Sequence, residues 1–364
     1  MAGVAFYISG HGFGHASRQI AIINALAARR PDIAVVLRTP VARWLLDRTV
    51  TAPFVLDDRP CDTGVVQIDS LRLDAAATIT RAREFHETLD ERAEVEARLL
   101  RHQDVRFVVS DAPPLGCAAA ALAGIPSVVV TNFTWDWIYA EYAEYLDSAP
   151  DLIPAIQAAY RTADAAWRLP MHGGFESFAT MVDVPFVARH ASHRRDDTRS
   201  RLGLPLDRKL ALPSFGGYGV QGLDLDALDS RSEWDVVRNT RESWLYDAGL
   251  RYEDLVAAVD VVVTKPGYGI VSECIANDTA LVYSSRGRFA EYPVLVREMP
   301  TYLRCAYIDN ASLLGGRWSA ALEAAVSAPP PSAKPRTDGA EVIADMIAAH
   351  LLRPAANHED HQDH

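Results

Sequence analysis

Near its start the chain reads Val4-Ala5-Phe6-Tyr7-Ile8-Ser9-Gly10-His11-Gly12-Phe13-Gly14-His15-Ala16-Ser17-Arg18. The apolar run Val4–Ser9 predicts a buried strand, and Ala16–Arg29 carries the spacing of a helix. Between them, glycines let the backbone approach a ligand, and the helix start offers free N–H groups to an anion or a reacting hydroxyl. A dinucleotide-binding turn would place glycine at position 15, where this chain has histidine, and an acidic residue after the second strand, which ends in Arg38-Thr39. A P-loop reading fails because no Gly-Lys-Ser/Thr follows. There remains a histidine on the first helical turn, at the carboxyl edge of a sheet, where open α/β sheets bind ligands. Histidine is suited to general-base work at neutral pH, and the positive end of the helix dipole favours its uncharged ring. The alternative is that His15 only caps the turn. His11 either meets the ligand or shapes the loop.

Outward from this stretch, strands are predicted at Ile33–Arg38, Phe107–Ser110 and Ser127–Thr131, with helices at Ile79–Arg101 and Leu115–Ala123. Strands joined by helices in this order imply a parallel sheet covered on both faces. The pattern restarts with strand Lys209–Ser214, the glycine turn Phe215–Gly219, helix Tyr252–Ala258, strand Val261–Thr264, helix Ile270–Ala276 and strand Ala280–Tyr283. Charged residues cluster at His190–Arg201, which marks a domain boundary. The stiff segment 329–335 precedes a last amphipathic helix, Gly339–Leu352. The expected organisation is an N-terminal Rossmann-like domain over 1–190, a second over 200–330, a closing helix within 336–353 and a disordered tail over 354–364, whose three histidines sit among acidic residues.

A length of 364 residues fits about two cores, and 49% hydrophobic with 23% charged residues is a globular balance. The formal net charge of −12 argues against nucleic acid as partner, because no basic stripe is available to neutralise phosphates. A small anionic ligand needs only a local positive field. The four cysteines, Cys61, Cys117, Cys274 and Cys305, are widely spaced, which fits reduced thiols rather than a disulfide framework or zinc site. With no basic leader and no apolar stretch of membrane-spanning length, the expected compartment is the cytoplasm.

Further chemistry clusters at strand ends. Asp111, just past its strand, either orients His15 or caps the next helix. Asn132, Phe133, Trp135 and Trp137 follow another strand, as an acceptor platform or as core. In the second half, Thr264-Lys265-Pro266-Gly267-Tyr268-Gly269 precedes a helix carrying Ser272 and Glu273. Loop amides and Lys265 suit a diphosphate, and Glu273 suits the vicinal hydroxyls of a ribose, or else simply complements the helix dipole. The turn Gly216–Gly219 would close the phosphate site, and Trp244–Tyr252 is the loop expected to hold the base. Asp224 and Asp226 form the only Asp-x-Asp and read as solvated surface rather than a metal clamp.

Four stretches, Gly10–Arg18, Asn132-Phe133-Thr134-Trp135-Asp136, Lys265–Glu273 and Arg288-Phe289-Ala290-Glu291-Tyr292-Pro293, together resemble the GT-B glycosyltransferases. Within that class they are most similar to the glycosyltransferase-like N-terminal region of L-arabinokinases and its stand-alone bacterial relatives. They span both halves. The kinase part has no counterpart here, so sugar kinase activity is not implied. UDP-sugar transferases and the peptidoglycan N-acetylglucosaminyltransferase are similar too.

The resemblance implies an α/β chain of GT-B fold, two Rossmann-like domains facing across a cleft, with the last helix packing back on the first domain. It implies an inverting transfer from a nucleotide-diphosphate sugar, a UDP-sugar foremost, to an acceptor hydroxyl, with no metal and no cofactor. His15 would deprotonate the acceptor and Asp111 would orient it. Donor contacts would come from Gly14, Gly216, Gly217, Tyr218, Lys265, Gly267, Tyr268, Gly269, Ser272, Glu273, Arg288, Phe289 and Glu291. Acceptor contacts would come from His11, Phe13, Arg18, Asn132 and Trp135. Two positions depart from the pattern: Tyr292 stands where relatives carry glutamine, and Lys265 where many carry histidine. The alternatives are a non-catalytic nucleotide-sugar sensor and a nucleotide-sugar 2-epimerase, whose Gly-Thr-Arg-Pro start is absent.

Overall fold

A computed structural model describes residues 3–216, 219–225, 233–239 and 242–352. The first half opens with β1 (Gly3–Ile8), α1 (Phe13–Arg29), β2 (Ala34–Arg38), α2 (Arg43–Thr49) and β3 (Phe54–Asp57). A short hairpin, β4 (Val66–Gln67) and β5 (Leu73–Asp74), leads into α3 (Ala75–His86), α4 (Leu89–His102), β6 (Val105–Asp111), α5 (Pro114–Ala123) and β7 (Ser127–Phe133). Then come α6 (Trp135–Ala140), α7 (Ala143–Leu146), α8 (Leu152–Tyr160), β8 (Ala165–Gly173) and β9 (Met181–Asp183). The second half runs α9 (Arg195–Leu202), β10 (Lys209–Pro213), β11 (Trp234–Val236), α10 (Glu242–Asp247), α11 (Tyr252–Ala258) and β12 (Val261–Thr264). It continues with α12 (Tyr268–Ala276), β13 (Ala280–Tyr283), α13 (Glu291–Tyr302) and β14 (Cys305–Tyr307). It ends with α14 (Asn310–Leu314), α15 (Ser319–Ser327) and α16 (Gly339–Leu352).

Two parallel sheets result, one of seven strands in the order β3-β2-β1-β6-β7-β8-β9 and one of five in the order β11-β10-β12-β13-β14. Helices cover both faces of the larger sheet, so its central strands are buried throughout, all six residues of β1 and all seven of β7 included. Local chemistry sets the helix ends. Pro114 stands at the start of α5, where its missing N–H costs nothing, and Gly124 ends it in the left-handed region at φ 69°. Asp74 caps α3 by accepting from the Ala77 N–H at 2.9 Å.

Register decides what meets at the sheet edge. β6 pairs directly with β1, and Asp111 lies opposite Ile8. Asp111 is therefore the last residue of its strand rather than the first beyond it. α1 starts at Phe13, three residues earlier than its periodicity predicts, which leaves His15 inside the first turn. The single helix expected over Ile79–Arg101 is two. Thr88 turns its hydroxyl back to the Phe85 carbonyl at 3.3 Å and ends the first helix, while Asp90 and Glu91 supply the acidic first turn of the second. The stretch expected as a loop from Trp244 lies partly in α10.

α16 packs along α1, burying Ile343, Ala344 and Ile347. The chain reaches it through an antiparallel bridge of Val187 with Asp338, and the Gly339 N–H donates to Phe186 O at 2.9 Å. A Cβ at Gly339 would sit 2.3 Å from the Pro185 carbonyl, so only glycine fits this crossing. The tail over 354–364 lies outside the described residues. Among the described residues, no helix is long and apolar enough to cross a membrane.

Candidate active site

Gly12 begins α1 at φ 82°, a backbone conformation that glycine adopts without penalty, and no side chain caps the helix. His15 follows on the first turn, and its Nδ1 lies 2.9 Å from Asp111 Oδ1. One turn on, Arg18 donates from Nε to Asp111 Oδ2 at 2.6 Å and pairs through Nη2 with Oδ1. Gln19 also donates to this carboxylate, at 3.1 Å. Burial works to raise the Asp111 pKa. The Arg18 guanidinium and His15 overcome that and hold the carboxyl well below the usual carboxylate range. Arg18 Nη2 also lies 2.8 Å from His15 Nδ1, so this ring nitrogen faces a donor and an acceptor at once. Whichever it bonds, Nε2 is the nitrogen left for a ligand.

The same guanidinium leads across to the second half. Arg18 Nη1 donates to Asn132 Oδ1 at 2.8 Å, and Asn132 Nδ2 donates to Glu291 Oε1 at 2.7 Å. Glu291, in the first turn of α13, accepts on Oε2 from Arg286 at 3.2 Å, and Arg286 stacks over Phe289 at 3.8 Å. Arg286 also donates to the Pro266 carbonyl at 3.2 Å, which ties the relay to the loop before α12. In that loop Lys265 Nζ donates to Gln67 Oε1 of the β4–β5 hairpin at 3.2 Å. Burial, then the neighbouring Arg286 charge, lowers the Lys265 pKa to about 7.

The two glycine turns touch. A Cβ built on Gly269 would lie 2.9 Å from Gly14 Cα. Beside this contact opens a cavity of about 620 Å³ lined from both halves. His15 and Glu273 line the same cavity. Glu273 does not enter it as a free carboxylate: Arg189 donates to its Oε1 from Nε at 2.7 Å and also pairs with Glu253 at 3.2 Å. Burial and the Glu253 charge raise the Glu273 pKa, with Arg189 opposing.

Of the residues singled out in the sequence, His11, Phe13, Gly14, His15, Gly216, Lys265, Gly267, Tyr268, Gly269, Glu273, Phe289 and Glu291 line this cavity. Arg18 and Asn132 also border it, but both are buried and bonded within the relay, so the structure places them beneath the site rather than free for an acceptor. Asp111 stands behind His15. Three expectations are corrected. Trp135 is fully buried, donating from Nε1 to Asp62 at 2.8 Å in a core of aromatic rings, so it is no acceptor platform. Ser272 turns its hydroxyl to the Gly269 carbonyl at 2.9 Å inside its own helix. Arg288 lies outside the cavity and pairs with Glu141 and Glu144 across an exposed seam. Gly217, Tyr218 and Asp226 lie outside the described residues.

The sequence reading missed Arg189, Arg286 and Gln67, all of which line the cavity, as does Tyr252 at the end of the stretch expected to hold the base. Arg189 adjoins the charged cluster taken as a boundary, and Arg286 precedes the resembling stretch by two residues. Neither carries a local motif, since each is defined by its partner rather than by its neighbours in sequence.

Two parallel sheets meeting at glycine-lined edges over one cavity, with the last helix returning to the first, define the GT-B fold, and the chain has it. Solved structures agree. The glycotransferase of kitacinnamycin superposes with a TM-score of 0.61 at 15% identity, covering 96% of this chain and 98% of that one. CalG4, the calicheamicin glycosyltransferase, gives 0.58 at 16% identity over 98% and 99%. UGT89C1 of Arabidopsis thaliana, complexed with UDP, gives 0.58 at 16% identity over 96% and 100%. In sequence the chain is similar to L-arabinokinase of Arabidopsis thaliana, with 34% identity over 369 residues that cover 97% of this chain and 34% of that protein. The chain thus spans about a third of the length of that relative. No protein-family profile matches it.

Proposed function

We propose that the chain is an inverting, metal-independent glycosyltransferase that moves a sugar from a nucleotide-diphosphate sugar, a UDP-sugar foremost, to an acceptor hydroxyl. One observation carries this reading: His15, backed by Asp111, lines the same cavity as Lys265, the Gly267–Gly269 loop and Glu273. His15 Nε2 takes the proton of the acceptor hydroxyl as its oxygen attacks the anomeric carbon. The bond from that carbon to the phosphate oxygen breaks, and its electron pair leaves with the nucleoside diphosphate. Amides at the start of α12, Lys265 and Arg286 stabilise the charge gathering on the leaving group, the task a divalent cation performs elsewhere. Glu273 meets the ribose hydroxyls when Arg189 retains Glu253 as its partner. Glu291, where relatives hold the donor sugar, is already bridged to Asn132 and Arg286, which favours a sugar that needs one carboxylate contact fewer.

A second reading, a nucleotide-sugar sensor without turnover, is favoured by one contact. If Arg18 Nη2 donates to His15 Nδ1 over their 2.8 Å separation, the ring proton resides on Nε2 and the imidazole cannot act as base. Incubation with a panel of nucleotide sugars, with and without hydroxyl acceptors, separates the two. Acceptor-dependent nucleotide release supports transfer; tight donor binding with no release under any acceptor supports the sensor. Nitrogen-15 NMR of the His15 ring reports which nitrogen carries the proton.

A further inference from the structure

A second cavity, of about 570 Å³, opens on the first half between the end of β2, the segment after β3 and helices α3 and α4. Four arginines line it: Arg38, Arg59, Arg81 and Arg92. In a chain of net charge −12 such a concentration needs a reason. Arg38 and Arg59 are compensated. Arg38 donates to Glu96 Oε1 at 3.0 Å from Nε, and Arg59 donates to Asp57 at 2.9 Å. Glu96 is buried and also receives the Tyr7 hydroxyl at 3.0 Å, so its charge is spent internally. Among the described residues, Arg81 and Arg92 have no carboxylate partner. Both are exposed at the rim, Arg81 without an ion pair or side-chain hydrogen bond among the described residues. Arg92 donates only to the neutral Thr88 hydroxyl, at 2.8 Å, and its guanidinium is held 4.3 Å over the Phe85 ring.

We infer that this cavity is a binding site for a small phosphate monoester, separate from the cleft. Planar guanidinium groups match phosphate oxygens in pairs, which favours arginine over lysine wherever phosphate is gripped in a fixed orientation. The cavity is far larger than phosphate alone, and buried Phe85 and Leu115 give the rest of the ligand an apolar wall. The site connects to the cleft through one segment. Arg59 and Thr63 line the second cavity, Val65 N–H lies 3.4 Å from His11 Nδ1, and Gln67 holds Lys265.

The test is calorimetric titration of the full chain with phenyl phosphate, using phenol as the uncharged control. Wild type binds phenyl phosphate with a dissociation constant of about 1 mM or tighter and shows no heat with phenol. Arg81→Ala with Arg92→Ala weakens binding about tenfold or more, since two charge-assisted contacts go. Both positions are exposed, so the variant stays folded, its unfolding midpoint lowered by at most a few degrees through the lost Arg92–Phe85 stacking. Lys265→Met, in the cleft, leaves the affinity unchanged. The inference is overturned if wild type does not bind, if the double variant binds like wild type, or if Lys265→Met alone abolishes binding and so places the ligand in the cleft.

Discussion

Asn132 Nδ2 lies 2.7 Å from Glu291 Oε1, and this buried hydrogen bond joins the end of β7 in one half to the start of α13 in the other. On its far side Asn132 accepts from Arg18, which holds Asp111, which meets His15. The candidate base and the donor-side loop are thus ends of one hydrogen-bonded chain. Replacing Asn132 by alanine strands a donor at Arg18 and an acceptor at Glu291. Urea unfolding should show a loss of about 1–3 kcal/mol, and turnover should fall although no atom of Asn132 is needed for the chemistry.

His15→Ala should lower turnover by about 10²–10⁴-fold while leaving donor binding within a few-fold of wild type. Initial rates of nucleotide release and calorimetric titration with UDP check the two halves of this expectation. Unchanged turnover would remove the base assignment.

Asp111→Asn acts through Arg18 as much as through His15. It leaves a buried guanidinium without its counter-charge, a change that costs about 3–5 kcal/mol when one partner of a buried pair is lost. The folded-state pKa of Asp111 is depressed, so its contribution to stability is present above the unfolded carboxyl value of about 4 and is lost as pH falls through the folded value. Unfolding midpoints should therefore decline below about pH 4 in wild type, with a shallower decline in Asp111→Asn.

Lys265, lowered to about 7 by burial and Arg286, gives the cleft a pH dependence of opposite origin. Between this value and its ordinary pKa the folded chain binds fewer protons at this site than the unfolded chain, so Lys265 makes stability rise as pH increases through that window. A diphosphate selects the ammonium form. UDP affinity should fall by up to about tenfold per pH unit above about pH 7.5, and binding should take up protons, visible as a buffer-dependent enthalpy. Lys265→Arg should flatten the profile, because arginine stays charged across the range.

Gly267 and Gly269 should respond differently to alanine. Gly267 has open space around its would-be Cβ and an extended backbone at φ −154°, so Gly267→Ala should leave stability within about 0.5 kcal/mol and instead crowd a bound phosphate. At Gly269 the new methyl meets the Gly14 backbone at 2.9 Å, which forces the two turns apart. A loss of about 1–3 kcal/mol is expected by chemical unfolding.

What the sequence determined by itself was local. Alternating apolar strands and helices of 3.6 period, glycines between them, and a histidine in the first helical turn follow from side-chain spacing and backbone sterics, so β12, α11, β13 and α16 appear where periodicity places them. Even there, the helix expected over Ile79–Arg101 hid a break, because a hydroxyl competing for a carbonyl at Thr88 leaves little trace in the apolar pattern. The partners were decided by tertiary structure alone. Asp111 meets His15 because β6 inserts next to β1, a strand order that no residue spacing encodes. Arg18 and Asn132 looked like acceptor contacts and became parts of a buried relay, Glu273 gained Arg189, and Trp135 sank into the core. A buried charge must find an opposite charge or a hydrogen bond within about 3 Å, and only the packing of distant segments settles which one lies within reach.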